Sequence, residues 1–291
     1  LSIDIDIIVP KSVTIAEINE ILKNIVRTSS FTRYEEQERH LSQIPKAHFK
    51  LFYESPFDQS EVYVLLDVLF EENPYSRLDS TDIVCPFIDT IPPNVTVKVP
   101  SIADILGDKL TAFAPNTTGI LYDKEKEMEI IKQLFDIESL FDQLSTTNGV
   151  KDTFIRCAEQ ELNYRQLTEM NYENVLDDIF KTAIIIGGRG SFDKETFLKL
   201  ENGIRRIKSH IINRNYIVEE AVVSASKAAY LSMLLKYRQE DIEKYHPKET
   251  LPELEGVPLF KKMAKIKNFS PEAYYYFAKA QELIRRSEKT K

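Results

Sequence analysis

At 291 residues, 43% apolar and 29% charged, the chain has the make-up of a globular protein larger than one typical domain, and two domains are expected. The net charge of −8 is uneven: residues 1–150 carry 13 basic and 25 acidic side chains, and residues 151–291 carry 25 and 21, so a polyanion would lean on the second half unless both are ordinary solvated surfaces. The absence of a roughly 18-residue apolar window and of a signal-peptide pattern points to a cytoplasmic protein off the membrane, while Cys85 and Cys157, isolated from each other and from His, exclude a disulfide framework or zinc site.

The chain opens at Leu1, without Met and already within a strand-like pattern, so further residues are expected upstream. Leu1, Ile3, Ile5 and Ile7 alternate with Ser2, Asp4 and Asp6, the period-2 signature of a strand with one buried face. Thr14 and Glu17 form a capping box, and Ile15, Ile18, Leu22, Ile25 and Val26 recur at helical spacing to about Arg27. Residues 48–53 and 62–70 are rich in β-branched and aromatic side chains, with turn chemistry at Ser55-Pro56-Phe57-Asp58 between them, and predict an antiparallel pair. A short strand at 95–99, after Pro92-Pro93, is expected to complete a small mixed sheet.

From Ser101 the period changes. Ser101 with Asp104 makes a second capping signal, and Ile102, Ile105, Leu106, Leu110 and Phe113 predict a helix that stops near Pro115. Another runs over 124–144 on an apolar stripe of Ile130, Leu134, Ile137, Phe141 and Leu144, closed by Ser145-Thr146-Thr147-Asn148-Gly149. A domain boundary is expected there, giving domains over 1–148 and 149–291. Helical patterns at 151–163, 168–183, 194–212, 215–240 and 270–288 make the second half a helical bundle. The fold class read from this order is α+β.

Chemistry concentrates at Asp4-Ile5-Asp6, because alternate residues of a strand share a face and two carboxylates there can bind a hard divalent cation. A solvated strand face is the plainer alternative. Asp67, inside the apolar run Val64-Leu65-Leu66-Asp67-Val68-Leu69, strengthens the metal reading, since an unpaired charge in such a strand is costly. As a third ligand it would let three carboxylates hold two Mg²⁺ for in-line displacement at phosphorus. Otherwise Asp67 hydrogen-bonds in a turn or meets a cation such as Lys50.

Three segments in this order and spacing carry a resemblance: Ser2-x-Asp4-x-Asp6; Ile105-Leu106-Gly107-Asp108-Lys109-Leu110-Thr111-Ala112; and Lys132-Gln133-Leu134-Phe135-Asp136-Ile137-Glu138-Ser139-Leu140. Over about residues 1–144 the chain resembles the AbiEii family of abortive-infection and toxin–antitoxin systems. The resemblance implies a nucleotidyltransferase domain with Asp4 and Asp6 as metal ligands, Ser2 beside them, Lys109 and Lys132 toward nucleotide phosphates, and Asp136 completing the site. It also implies a Gly-rich turn ahead of the first strand, upstream of Leu1, and Lys-Asp where this chain has Lys132-Gln133. A lysine suits triphosphate oxygens because a point charge neutralises them without bidentate geometry. Outside that resemblance, Lys109 reads as a solvent-facing residue at the margin of a helix stripe.

Other motifs read as scaffold. Gly187-Gly188-Arg189-Gly190 lacks the Gly-Lys-Ser/Thr ending of a phosphate loop and reads as an inter-helix turn. His40, His48, His210 and His246 show neither metal spacing nor a nucleophile partner. Tyr274-Tyr275-Tyr276 and Phe277 read as bundle packing rather than base stacking. The expected function is Mg²⁺-dependent transfer of a nucleoside monophosphate from an NTP to an acceptor hydroxyl, with RNA such as a tRNA 3′ end as acceptor and an antitoxin protein as partner, in toxin–antitoxin phage defence. The alternative is a nucleotide-binding or protein-interaction module without catalysis.

Overall fold

The computed structural model describes residues 4–37, 44–84, 89–211, 214–248, 250–252 and 263–290. It divides into two compact units, residues 1–74 and 75–291.

The first unit is a four-stranded mixed sheet with a helix on one face. Its elements are β1 (Ile5–Val9), α1 (Ile15–Thr28), β2 (Arg33–Glu36), β3 (Lys46–Glu54) and β4 (Glu61–Phe70), and the sheet order is β1-β4-β3-β2. β1 runs parallel to β4, and β3 is antiparallel to both its neighbours. The expected capping box starts α1: Thr14 Oγ1 accepts from the Glu17 amide at 3.3 Å, and the Thr14 amide donates to the Glu17 carboxylate at 2.8 Å. Ile18 and Leu22 of α1 are buried with Ala47, Phe49 and Leu51 of β3 and Leu66 and Val68 of β4, so every second residue of each strand enters one core. Each such fully buried large side chain contributes about 1.5–3 kcal/mol. Ile5 and Ile7 share this face by register, but β1 is an edge strand and leaves them 50% and 37% exposed.

The second unit begins with a two-stranded antiparallel sheet, β5 (Leu78–Asp82) and β6 (Thr96–Pro100). Seven α-helices follow among the described residues: α2 (Ile102–Ala112), α3 (Glu127–Phe141), α4 (Val150–Tyr164), α5 (Tyr172–Gly187), α6 (Lys194–Ile207), α7 (Val218–Lys236) and α8 (Pro271–Thr290). One core joins them, with Phe113, Phe141, Phe154, Tyr216 and Phe277 each fully buried. Asp104 ties β5 to α2: its carboxylate accepts from the Ser76 amide at 2.7 Å, the Arg77 amide at 3.2 Å, the Ser101 hydroxyl at 2.5 Å and the Thr153 hydroxyl. Burial pushes this carboxyl up, but the hydrogen bonds outweigh burial and hold it below the usual range.

The α+β class stands, with two differences in arrangement. The strand expected at 95–99 pairs with β5 in the second unit instead of joining the mixed sheet. The compact units meet at Pro74, ahead of the boundary expected near 148, because α2 and α3 share their core with α4, α6 and α7. Gly187 to Gly190 does form a turn after α5, with Arg189 and Gly190 at positive φ (48° and 82°), and Tyr274, Tyr275, Tyr276 and Phe277 are all buried.

Candidate active site

The face of the first sheet opposite α1 gathers the acidic residues. Parallel pairing of β1 and β4 sets Asp6 beside Asp67, and antiparallel pairing of β3 and β4 sets His48 beside Asp67 on the other flank. A row Asp6, Asp67, His48 therefore crosses three strands on one face. The register has a local cause: Glu54 faces Glu61 across the hairpin turn, and counting back along the ladder brings His48 opposite Asp67.

His48 Nδ1 donates to Asp67 Oδ1 at 2.7 Å. The His48 side chain is 14% exposed and that of Asp67 31%, while Asp6 lies in the open. Asp67 thus has a cation-capable partner, but it is His48 and not Lys50, whose ammonium sits 4.3 Å from the centre of the Tyr63 ring. Sequence reading set all four histidines aside. The turn at residues 55–58 held the missing signal, since it fixes which residue of β3 faces Asp67.

Farther along the same face, Arg33 stacks over Phe52 at 3.5 Å and pairs with Glu61 through two nitrogens at 3.0 and 2.6 Å. Arg33 also donates to Glu35, so one guanidinium is shared by two carboxylates. The cluster reads as the closure of the hairpin end of the sheet.

In the second unit, Lys109 on α2 and Asp136 on α3 form an ion pair at 3.2 Å, with side chains 30% and 14% exposed. The two residues named separately by the family resemblance are thus brought together, one near the end of its helix and the other in mid-helix. Lys132 and Gln133 are half-buried on α3, and the Gln133 side-chain oxygen is buried without a hydrogen-bond partner. Two residues beyond Asp136, Glu138 belongs to a different set. Its carboxylate takes both Arg214 terminal nitrogens at 3.2 and 2.5 Å and the Ser224 hydroxyl at 2.7 Å. Lys227, 3% exposed, reaches Asp142 at 2.9 Å, Glu272 at 3.0 Å and Glu138 at 3.6 Å. Such mutual satisfaction marks a structural network. Ser2 lies outside the described residues, as do His40 and Cys85.

Among the described residues, no three His, Cys, Asp or Glu side chains form a metal-ligand group, so the structure pairs Asp6 with Asp67 without assembling a three-carboxylate set with Asp4. The donor chemistry still fits Mg²⁺, which keeps several waters and is commonly held by one or two carboxylates plus substrate phosphates. Two accessible carboxylates in adjacent strand positions would supply the protein share of such a shell.

A small carboxylate-bearing mixed sheet joined to a helical unit defines an α+β protein of the architecture that the sequence motifs imply. The model of the family described as nucleotidyl transferase AbiEii toxin, type IV TA system, matches residues 1–242. The chain belongs to this family of nucleotidyl transferase toxins of type IV toxin–antitoxin systems. The match runs through α7 to Ile242 and so includes helices that offered no motif of their own. No curated protein and no solved structure matches the chain. Among the described residues no helix is long and apolar enough to cross a membrane.

Proposed function

We propose that this protein transfers a nucleoside monophosphate from an NTP to an acceptor hydroxyl on RNA, such as a tRNA 3′ end, in the cytoplasm and under the control of an antitoxin protein. The observation that carries the reading is the in-register placement of Asp6 beside Asp67 on one accessible sheet face, in a chain of the AbiEii family. In the reaction the acceptor oxygen attacks the α-phosphorus, a new P–O bond forms, the bond to the β-phosphate oxygen breaks, and pyrophosphate leaves. The acceptor proton passes to solvent.

Asp6 and Asp67, with Asp4 two residues earlier on the same strand path, are the ligands for Mg²⁺ in this reading. When bound, the cation supplies charge neutralisation for the triphosphate and acidifies the acceptor hydroxyl. Lys109, paired with Asp136 at 3.2 Å, offers a point charge to phosphate oxygens. Lys132 adds a second cation. The more basic composition of residues 151–291 supports a polyanionic acceptor. A module that binds nucleotide or protein without catalysis is the second reading. Gln133 favours it, because the family pattern has Asp there.

The test is a transfer assay on the full chain with Mg²⁺, each α-labelled NTP in turn and bulk cellular RNA. Label is expected on RNA with wild type and is expected to fall at least about 100-fold in Asp4→Asn and Lys109→Ala, the scale of losing a charge-stabilising group. Equal labelling by wild type and Asp4→Asn removes that carboxylate from the mechanism. No labelling with any NTP, by folded protein that binds nucleotide, selects the non-catalytic module.

A further inference from the structure

The residue on the sheet face that no motif assigns is His48. A charged aspartate in the middle of a β-strand needs a partner, and the strand pairing offers two neighbours of opposite consequence. Asp6, on the β1 side, is another carboxylate and offers Asp67 no donor. His48, on the β3 side, donates to Asp67 Oδ1 at 2.7 Å. The imidazole also fixes direction. With one carboxylate oxygen held by Nδ1–H on the flank away from β1, the plane of the group is set and Oδ2 is not taken by His48. The ring can hold that pose because it is itself mostly buried, whereas the carboxylate it orients is the more exposed of the two. Ligand carboxylates in metal sites are commonly oriented by such outer hydrogen bonds, and loss of the outer partner typically costs 10–100-fold in metal affinity or activity.

We infer that His48 is a positioning residue, which orients the Asp67 carboxylate through Nδ1–H so that Asp67 and Asp6 together can take a divalent cation. The inference rests on the reading of Asp6 and Asp67 as metal ligands. Its competitor is a cross-strand pair that only steadies the hairpin, and the two differ in what a change at His48 does to cation binding in a folded chain.

The experiment titrates the full chain with Mn²⁺ and follows the electron paramagnetic resonance signal of the free ion, for wild type, His48→Ala, His48→Asn and His48→Gln, with a thermal melt of each. The Asn amide nitrogen reproduces the position of Nδ1, and the Gln amide nitrogen that of Nε2. His48→Ala and His48→Gln are expected to weaken Mn²⁺ binding about tenfold or more. His48→Asn is expected to stay within about threefold of wild type, as rescue by the matching donor requires. The Asn–Gln contrast carries the test even where the Ala variant does not fold. Equal Mn²⁺ affinity in all folded variants overturns the inference, as does a wild-type chain that binds no Mn²⁺. A wild type that binds Mn²⁺ with this dependence on His48 but transfers no nucleotide sinks the transferase reading and leaves the role of His48 standing.

Discussion

Two charge clusters, one in each unit, are built in opposite ways. In the helical unit, one buried cluster is saturated with partners: Glu138 with Arg214, Ser224 and Lys227, and Lys227 with Asp142 and Glu272 as well. In the sheet unit, the mid-strand carboxylates remain accessible, and Asp67 is met by a single imidazole. A saturated network is scaffold, because every member already has its counter-charge. A carboxylate on the strand face opposite the helix takes nothing from the core, and in the proposed reading it is where a cation and a substrate phosphate would meet the protein.

Substitutions break or sharpen that contrast. The largest expected effect is at Glu138: Glu138→Ala leaves Arg214 with Glu220 at 3.7 Å as its carboxylate and the Ser224 hydroxyl without its acceptor, while Lys227 keeps Asp142 and Glu272, and is expected to cost about 3 kcal/mol, read by urea denaturation. A loss below about 1 kcal/mol would mean that the network is not scaffold in this sense. Next is Gly107→Ala on α2. A Cβ there would lie 2.6 Å from the Val150 carbonyl oxygen and 2.9 Å from the Phe154 amide nitrogen, backbone atoms that cannot swing aside. An overpacking cost of about 1–3 kcal/mol is expected in the same denaturation experiment. In the sheet unit, Thr14→Ala removes the cap of α1 and is expected to cost about 1 kcal/mol. Asp67→Asn is expected to change stability by less than about 1 kcal/mol, the scale of a partly exposed pair.

Local periodicity made much of this molecule legible. α1 with its capping box, the β3–β4 hairpin, α2 from Ser101 and the helices beyond 150 all follow from spacing within one segment. Partnership between segments was less so. β2, Arg33-Tyr34-Glu35-Glu36, and β5, Leu78-Asp79-Ser80-Thr81-Asp82, are too polar to announce themselves as strands, and without β5 the strand at Thr96 was assigned to the wrong sheet. The loop at 145–149 has the composition of a linker, yet the apolar stripes of α2 and α3 are covered by later helices, which sequence spacing alone does not show. Of the candidate residues in each unit, the acidic strand was legible from alternation, and Lys109 and Asp136 through the family resemblance. The Lys109–Asp136 pairing and the contact of His48 with Asp67 needed tertiary structure, although the hairpin register held the second within reach.

In the proposed reading, the accessible carboxylates of the sheet face serve chemistry and not stability. The most direct test measures Asp6→Asn twice, for label transfer from an α-labelled NTP to RNA and for its melting temperature. The expected result is a loss of transfer of at least about 100-fold with a melting temperature within a few degrees of wild type. Transfer equal to wild type would contradict the claim, and so would a loss of transfer that only accompanies unfolding.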